Sequence, residues 1–255
     1  MSGFGWRAVG GVLALGTVAW GGFNTVTLLA HEERMEITRY DASSVRAIDV
    51  ENSAGSVTIE GSAERDEITV TARISEGLRE TGERQSVIDG RLELRGSCPL
   101  LGGDWCRVSY RIEVPADVAV RVDTDNGRIE LRGIDGPVDL DADNGRVEVV
   151  DVAGDLSVAG DNGSITATEL RSDSVVAETD NGSLTLEFAE SPESVDARSD
   201  NGSVEVILPQ TPVAYRLDIS TDNGQVSDDI STDPASPLPI VIETDNGNAT
   251  VRYAP

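Results

Sequence analysis

The chain has 255 residues, 38% of them hydrophobic but only 4% aromatic, and a formal net charge of −26. Such a balance excludes a nucleic-acid partner, because phosphate binding needs a basic stripe, and all 20 basic residues here are Arg. A thick core built on Phe and Trp is excluded too, so small β-branched side chains must do the packing, which suits a long stack of short strands.

Residues 1–7 form a short polar end that closes on Arg7. From Ala8 to Ala30 no side chain is charged, a run of 23 residues, and a helix needs about 20 to span a bilayer. Arg7 precedes the run, and His31, Glu32 and Glu33 follow it. The positive-inside bias then puts residues 1–7 in the cytoplasm and the rest of the chain outside. A cleaved signal peptide ending near Thr17-Val18-Ala19 is the competing reading, and a buried core helix is a third. Length favours an uncleaved single-pass anchor over residues 8–30, with residues 31–35 as a juxtamembrane linker. The expected location is the cell membrane, with the domain facing outward.

Residues 36–118 are irregular. Strand-like runs occur at Ala47–Glu60, Glu67–Ile74, Arg91–Arg95 and Arg107–Val114, the last ended by Pro115, which has no N–H to donate. Ser75–Ser86 is charged and reads as a loop or short helix. The region is expected to act as a β cap that grades into the first coils, since a strand stack needs its end sealed. Cys98 and Cys106, the only cysteines, are separated by seven residues. Outside the cytoplasm this pair is expected to form a disulfide, contributing about 2–3 kcal/mol by chain entropy. A metal site is the alternative, but the pair alone is half a site with no His beside it. A redox pair has a shorter spacing.

Residues 119–255 are repetitive. Asp-Asn-Gly occurs seven times, with Gly at 127, 145, 163, 182, 202, 224 and 247, at intervals of 18, 18, 19, 20, 22 and 23 residues. Apolar side chains stand three and five residues before each Asp, as with Val120 and Val122 or Val138 and Leu140. They resume two and four residues after each Gly in the first five units, as with Ile129 and Leu131. Alternation of this kind buries one face of each strand. A degenerate eighth unit surrounds Gly55, with Ile48 and Val50 before it and Val57 and Ile59 after it. Two architectures can use such a unit. Asn-Gly is a strong hairpin signal, which gives an antiparallel meander or sandwich. The near-constant period and the second turn in each unit favour instead a single-stranded β-solenoid of short coils, each burying its few apolar side chains on its neighbours.

The runs Tyr110-Arg-Ile-Glu-Val-Pro115 and Val120-Arg-Val-Asp-Thr-Asp-Asn-Gly-Arg-Ile-Glu-Leu131, then Gly133, Gly136 and Val138-Asp-Leu140, resemble a bacterial and archaeal family. It comprises the β-strand-repeat putative adhesins of the domain-of-unknown-function 4097 type. The resemblance covers most of residues 45–255. It implies β-solenoid material displayed at a surface, often attached to a membrane segment, and it brings no catalytic residues.

Among chemical candidates, a column of Asp125, Asp143, Asp161, Asp180, Asp200, Asp222 and Asp245 would repel itself, and calcium, which takes six to eight oxygens, could relieve this. Asp139-Leu-Asp141-Ala-Asp143-Asn-Gly145 comes near a calcium loop but fails on register, with Asn144 where Gly belongs and Val150 where Glu belongs. Asp also has a plain turn role, bonding the backbone two residues on. A polysaccharide-active enzyme could use paired carboxylates, yet the units are equivalent and set no Asp apart. The lone His31 abuts the anchor, which excludes a His-based triad. Asn162, Asn181, Asn201 and Asn248 lie in Asn-x-Ser/Thr sequons, three of them within the turns. No cofactor is expected. The partners are the membrane and an envelope protein or polysaccharide, and the reading is a non-enzymatic binding or structural module at the cell envelope. An envelope-stress sensing accessory is the alternative.

Overall fold

The computed structural model describes residues 32–76, 81–98 and 106–255. The anchor proposed for residues 8–30 lies outside them. Among the described residues no helix is long and apolar enough to cross a membrane.

The described chain is all-β. The less regular half holds β1 (Glu32–Asp41), β2 (Ala47–Asn52), β3 (Val57–Ser62), β4 (Glu67–Glu76), β5 (Gly82–Ile88), β6 (Arg91–Ser97) and β7 (Arg107–Pro115). The repeats begin with two long strands that run through their turns, β8 (Ala119–Ile134) and β9 (Val138–Val152). Later units each divide in two: β10 (Leu156–Asn162) and β11 (Ile165–Leu170), β12 (Ser174–Asn181) and β13 (Leu184–Phe188), β14 (Ser194–Asn201) and β15 (Val204–Leu208). The last two are β16 (Arg216–Asn223) with β17 (Val226–Asp229), and β18 (Pro239–Asn246) with β19 (Ala249–Tyr253). Of the stretch Ser75–Ser86 read as a loop or short helix, Ser75 and Glu76 end β4 and the residues from Gly82 onward form a strand. Exposed Gly82 and Arg84 alternate with half-buried Glu83 and Gln85, and the pairing with β6 decides the conformation.

Each unit pairs in parallel with its neighbour, residue type against residue type. Val138 sits beside Val120 and Leu156, and Val175 beside Leu156 and Val195. Two ladders result. One runs β6, β2, β8, β9, β10, β12, β14, β18, β16. The other runs β7, β3, β8, β9, β11, β13, β15, β19, β17. The Asp-Asn-Gly turn is the corner at which the chain leaves one ladder for the other. The antiparallel meander does not hold for the repeats: antiparallel pairing is confined to β1–β4, β4–β7 and β5–β6. The inward side chains of both ladders share one core of Val, Ile, Leu and Ala.

Stacking order departs from chain order at both ends. The β18–β19 unit lies between β14–β15 and β16–β17, although it follows both in sequence. Likewise β2–β3 lies between the later β6–β7 and β8. At the amino-terminal end, β1 and β5 close the ladders, and the Tyr40 hydroxyl donates to Gln85 Oε1 at 2.8 Å to join them. At the other end β16–β17 is the outermost unit. Its Leu217 and Ile219 are only partly buried, whereas their register partners Ile240 and Ile242 are fully buried.

Candidate functional surface

The turn column is built from the inside outward. Residues three before the turn Gly point inward and include Thr124, Thr179, Ser199 and Thr244, all buried. Ser199 Oγ donates to the carbonyl of Gly182 at 3.0 Å, Thr244 Oγ1 to that of Gly202 at 2.8 Å, and Thr221 Oγ1 to that of Gly247 at 2.9 Å. These three hydroxyls tie their units to the turn of a neighbour, whereas the buried Thr124 hydroxyl has no hydrogen-bond partner among the described residues.

The glycines stack almost in contact. A Cβ at Gly145 would lie 1.6 Å from the Gly127 carbonyl oxygen, and one at Gly182 1.7 Å from that of Gly163. Close approach of successive backbones is the reason for Gly here. A left-handed hairpin turn is not: no turn Asn has positive φ, and of the seven turn glycines only Gly163 does.

The Asn side chains form a ladder along the outside. Asn162 Nδ2 donates to Asn144 Oδ1 at 3.2 Å, Asn181 to Asn162 at 3.2 Å, Asn201 to Asn181 at 3.1 Å, and Asn246 to Asn201 at 3.0 Å. Asn223 ends the ladder on Asn246 at 3.1 Å. This column was missed in the sequence because a repeated Asn-Gly reads first as a local turn; the signal was the repetition of Asn as well as of Gly.

The seven candidate calcium residues, Asp125, Asp143, Asp161, Asp180, Asp200, Asp222 and Asp245, all project into solvent, one per unit. They stand one strand spacing apart, roughly 4.8 Å. Among the described residues no group of three or more His, Cys, Asp or Glu side chains is arranged to hold a metal ion. The carboxyl most affected by this acidic face is Asp141. Its pKa is raised, first by partial burial and then by Asp123, Asp143, Asp161 and Asp139.

Arginine relieves the remaining charge sideways, from strand to strand. Arg121 meets Asp139 at 2.6 Å, Arg252 meets Glu205 at 2.8 Å, and Arg171 meets both Asp151 at 2.8 Å and Asp135 at 3.1 Å. Each exposed pair adds at most about 1 kcal/mol. Near the amino-terminal end, Glu51, Glu83, Asp123, Asp125, Arg84 and Arg95 line a shallow depression of about 440 Å³. Cys98 and Cys106 are bonded to each other, with Cα atoms 5.7 Å apart.

At the opposite end a carboxylate stands at a register position that is apolar and buried in the neighbouring unit. Asp228 is in register with the fully buried Val251 but is itself exposed. A charge at a core position of the last strand discourages another sheet edge from docking there.

No family model matches the chain, and no curated protein matches it. Among solved structures it is similar to a putative cell adhesion protein from Clostridium sporogenes, at 13% identity over 88% of this chain and 100% of the other, with a TM-score of 0.40. A putative adhesin from Parabacteroides distasonis is similar at 14% identity over 87% and 97%, with a TM-score of 0.40. One from Bacteroides fragilis is similar at 12% identity over 87% and 97%, with a TM-score of 0.36.

Proposed function

We propose that this chain is a non-catalytic, adhesin-like display module: a β-solenoid held at the outer face of a cell membrane by residues 8–30. The observation that carries this reading is the equivalence of the units. Seven units turn an exposed Asp and an exposed Asn outward at equivalent turn positions, so these polar groups are spread along the stack, while the rows beside them vary, as in Arg121, Asp139, Ser157, Val176 and Asp196. A periodic surface of this kind suits a long repetitive partner, such as an envelope or extracellular polysaccharide, better than a small substrate. One feature supports the anchored arrangement: Met35 and Ile37, in the strand that follows the apolar run in sequence, are exposed.

The test compares a whole-unit deletion with single substitutions. Removing residues 164–182 takes out one unit, from one turn Gly to the next. If the reading holds, binding of the chain to polysaccharide-coated beads weakens in proportion to the units lost, and exchanging any one outward Asp leaves it nearly unchanged. Complete loss of binding from one such exchange would point to a localised site and overturn the reading. For the location, biotinylation of Glu and Asp side chains on intact cells is expected to label the chain; labelling only after lysis would refute it.

A further inference from the structure

All seven Asn-Gly pairs share the chemistry that makes such pairs labile, because Gly leaves the following backbone nitrogen open to the Asn side chain. The fold treats them unequally. Gly163, Gly182, Gly202 and Gly247 each donate their N–H to the Asn carbonyl of the adjoining unit at 3.0–3.1 Å, and Gly127 and Gly145 lie within the paired strands β8 and β9. Gly224 belongs to the outermost unit, and among the described residues its N–H meets no backbone carbonyl. The side chains follow the same pattern. Asn162, Asn181, Asn201 and Asn246 each donate to one ladder neighbour and accept from another. Asn223 donates to Asn246 but accepts from none, and both Asn223 and Gly224 are exposed.

We propose that Asn223-Gly224 is a site of spontaneous deamidation and isoaspartate formation, singled out from seven alike pairs by its place at the open end of the stack. The Gly224 backbone nitrogen gives up its proton to hydroxide and attacks Asn223 Cγ. The Cγ–Nδ2 bond breaks as Nδ2 takes up one proton from water and leaves as ammonia, which is protonated to ammonium in solution. Water then opens the resulting five-membered imide. Cleavage of the bond from Cγ to the Gly224 nitrogen gives Asp. Cleavage at the former main-chain carbonyl gives isoaspartate, with the chain rerouted through the side-chain carbon. The net change is amide plus water to carboxylate plus ammonium. Asn162, Asn181, Asn201 and Asn246 must first release two ladder bonds and the Gly N–H bond. Asn144 must release its bonds to Asn162 and to the Asp125 carbonyl, and Asn126 its bond to the Ser53 carbonyl together with the strand pairing of Gly127. Asn223 must release one side-chain bond and no Gly N–H bond. Either product adds a negative charge beside Asp222, and isoaspartate also lengthens the backbone just before β17.

The test is incubation of the folded full chain in mildly alkaline buffer, followed by peptide mass spectrometry with the seven sites scored separately. Asn223 is expected to convert about tenfold faster, or more, than any interior Asn, since each extra hydrogen bond slows the required opening by up to roughly that factor. The same incubation in concentrated urea is expected to bring the seven rates together. Amide hydrogen exchange at Gly224 is expected to be fast, and at Gly163, Gly182, Gly202 and Gly247 slow. Equal rates in the folded chain, or a lead for another site, would overturn the proposal. So would an equal lead for Asn223 in urea, which would assign the effect to local sequence.

Discussion

The turn residues divide their work, and substitution can separate the parts. Gly182 is fixed by contact, since a methyl there would drive into the Gly163 carbonyl 1.7 Å away. Gly182→Ala is expected to destabilise the protein by about 1–3 kcal/mol or more in urea unfolding. Asp180→Asn, at an exposed side chain two residues earlier, should stay within about 0.5 kcal/mol. Asp141 behaves differently. Its raised pKa means that the folded state favours the neutral carboxyl. Its contribution to stability is therefore present below the ordinary carboxylate range and is lost as pH rises through the folded pKa. Asp141→Asn is expected to raise the melting temperature at neutral pH, and added salt should shrink the gain. At the amino-terminal end, burial and then Glu83 push the Tyr110 hydroxyl above its ordinary 10.0. The neutral phenol is the form the fold favours, so its contribution is complete below about pH 10 and falls away above it. Alkaline unfolding should be less steep in Tyr110→Phe.

At the scale of the element, the alternation of apolar and polar residues identified the repeat strands, because a period of two leaves little choice of face. Val120, Val122, Ile129 and Leu131 are all buried, as are their counterparts in the next unit. What the pattern could not supply was the partner of each strand. A hairpin and a coil present the same alternation, and only the register separates them. β5 escaped for a related reason: Glu83, Arg84 and Gln85 read as loop, yet they cover the core end through the Tyr40–Gln85 hydrogen bond and the Gln85–Glu83 contact at 2.9 Å. Asp228 at its core register position was equally hidden, since its meaning depends on being in the last strand of the stack. The disulfide between Cys98 and Cys106 was legible from their spacing together with the expectation of a location outside the cytoplasm. Replacing Cys98 and Cys106 together by Ser is expected to lower stability by about 2–3 kcal/mol, measured against the oxidised parent by chemical denaturation.

For the whole molecule, parallel pairing of each unit with its neighbours leads to the expectation that stability is close to a sum over units and their interfaces. Deletion of residues 164–182 should therefore leave a folded, cooperatively unfolding protein with a lower melting point, read by far-ultraviolet circular dichroism during heating. Loss of all strand signal would mean that the ladders depend on one continuous nucleus. The acidic balance was plain from composition, and its distribution follows from the fold: outward Asp in one column, with Arg drawn into pairs across the strands.

The displaced position of β18–β19 sets the calendar of assembly. During synthesis β16–β17 leaves the ribosome before the strands that will separate it from β14–β15 exist. For that interval the β14–β15 edge lacks its final partner, and Leu217 and Ile219 occupy the same register positions as the Ile240 and Ile242 that will cover it. Completion then requires the newcomer either to find the gap still vacant or to dislodge an occupant. Because β18–β19 must enter between two units already made, slower elongation past residue 239 is expected to lower the fraction of chains that reach the final order, read by limited proteolysis of nascent chains.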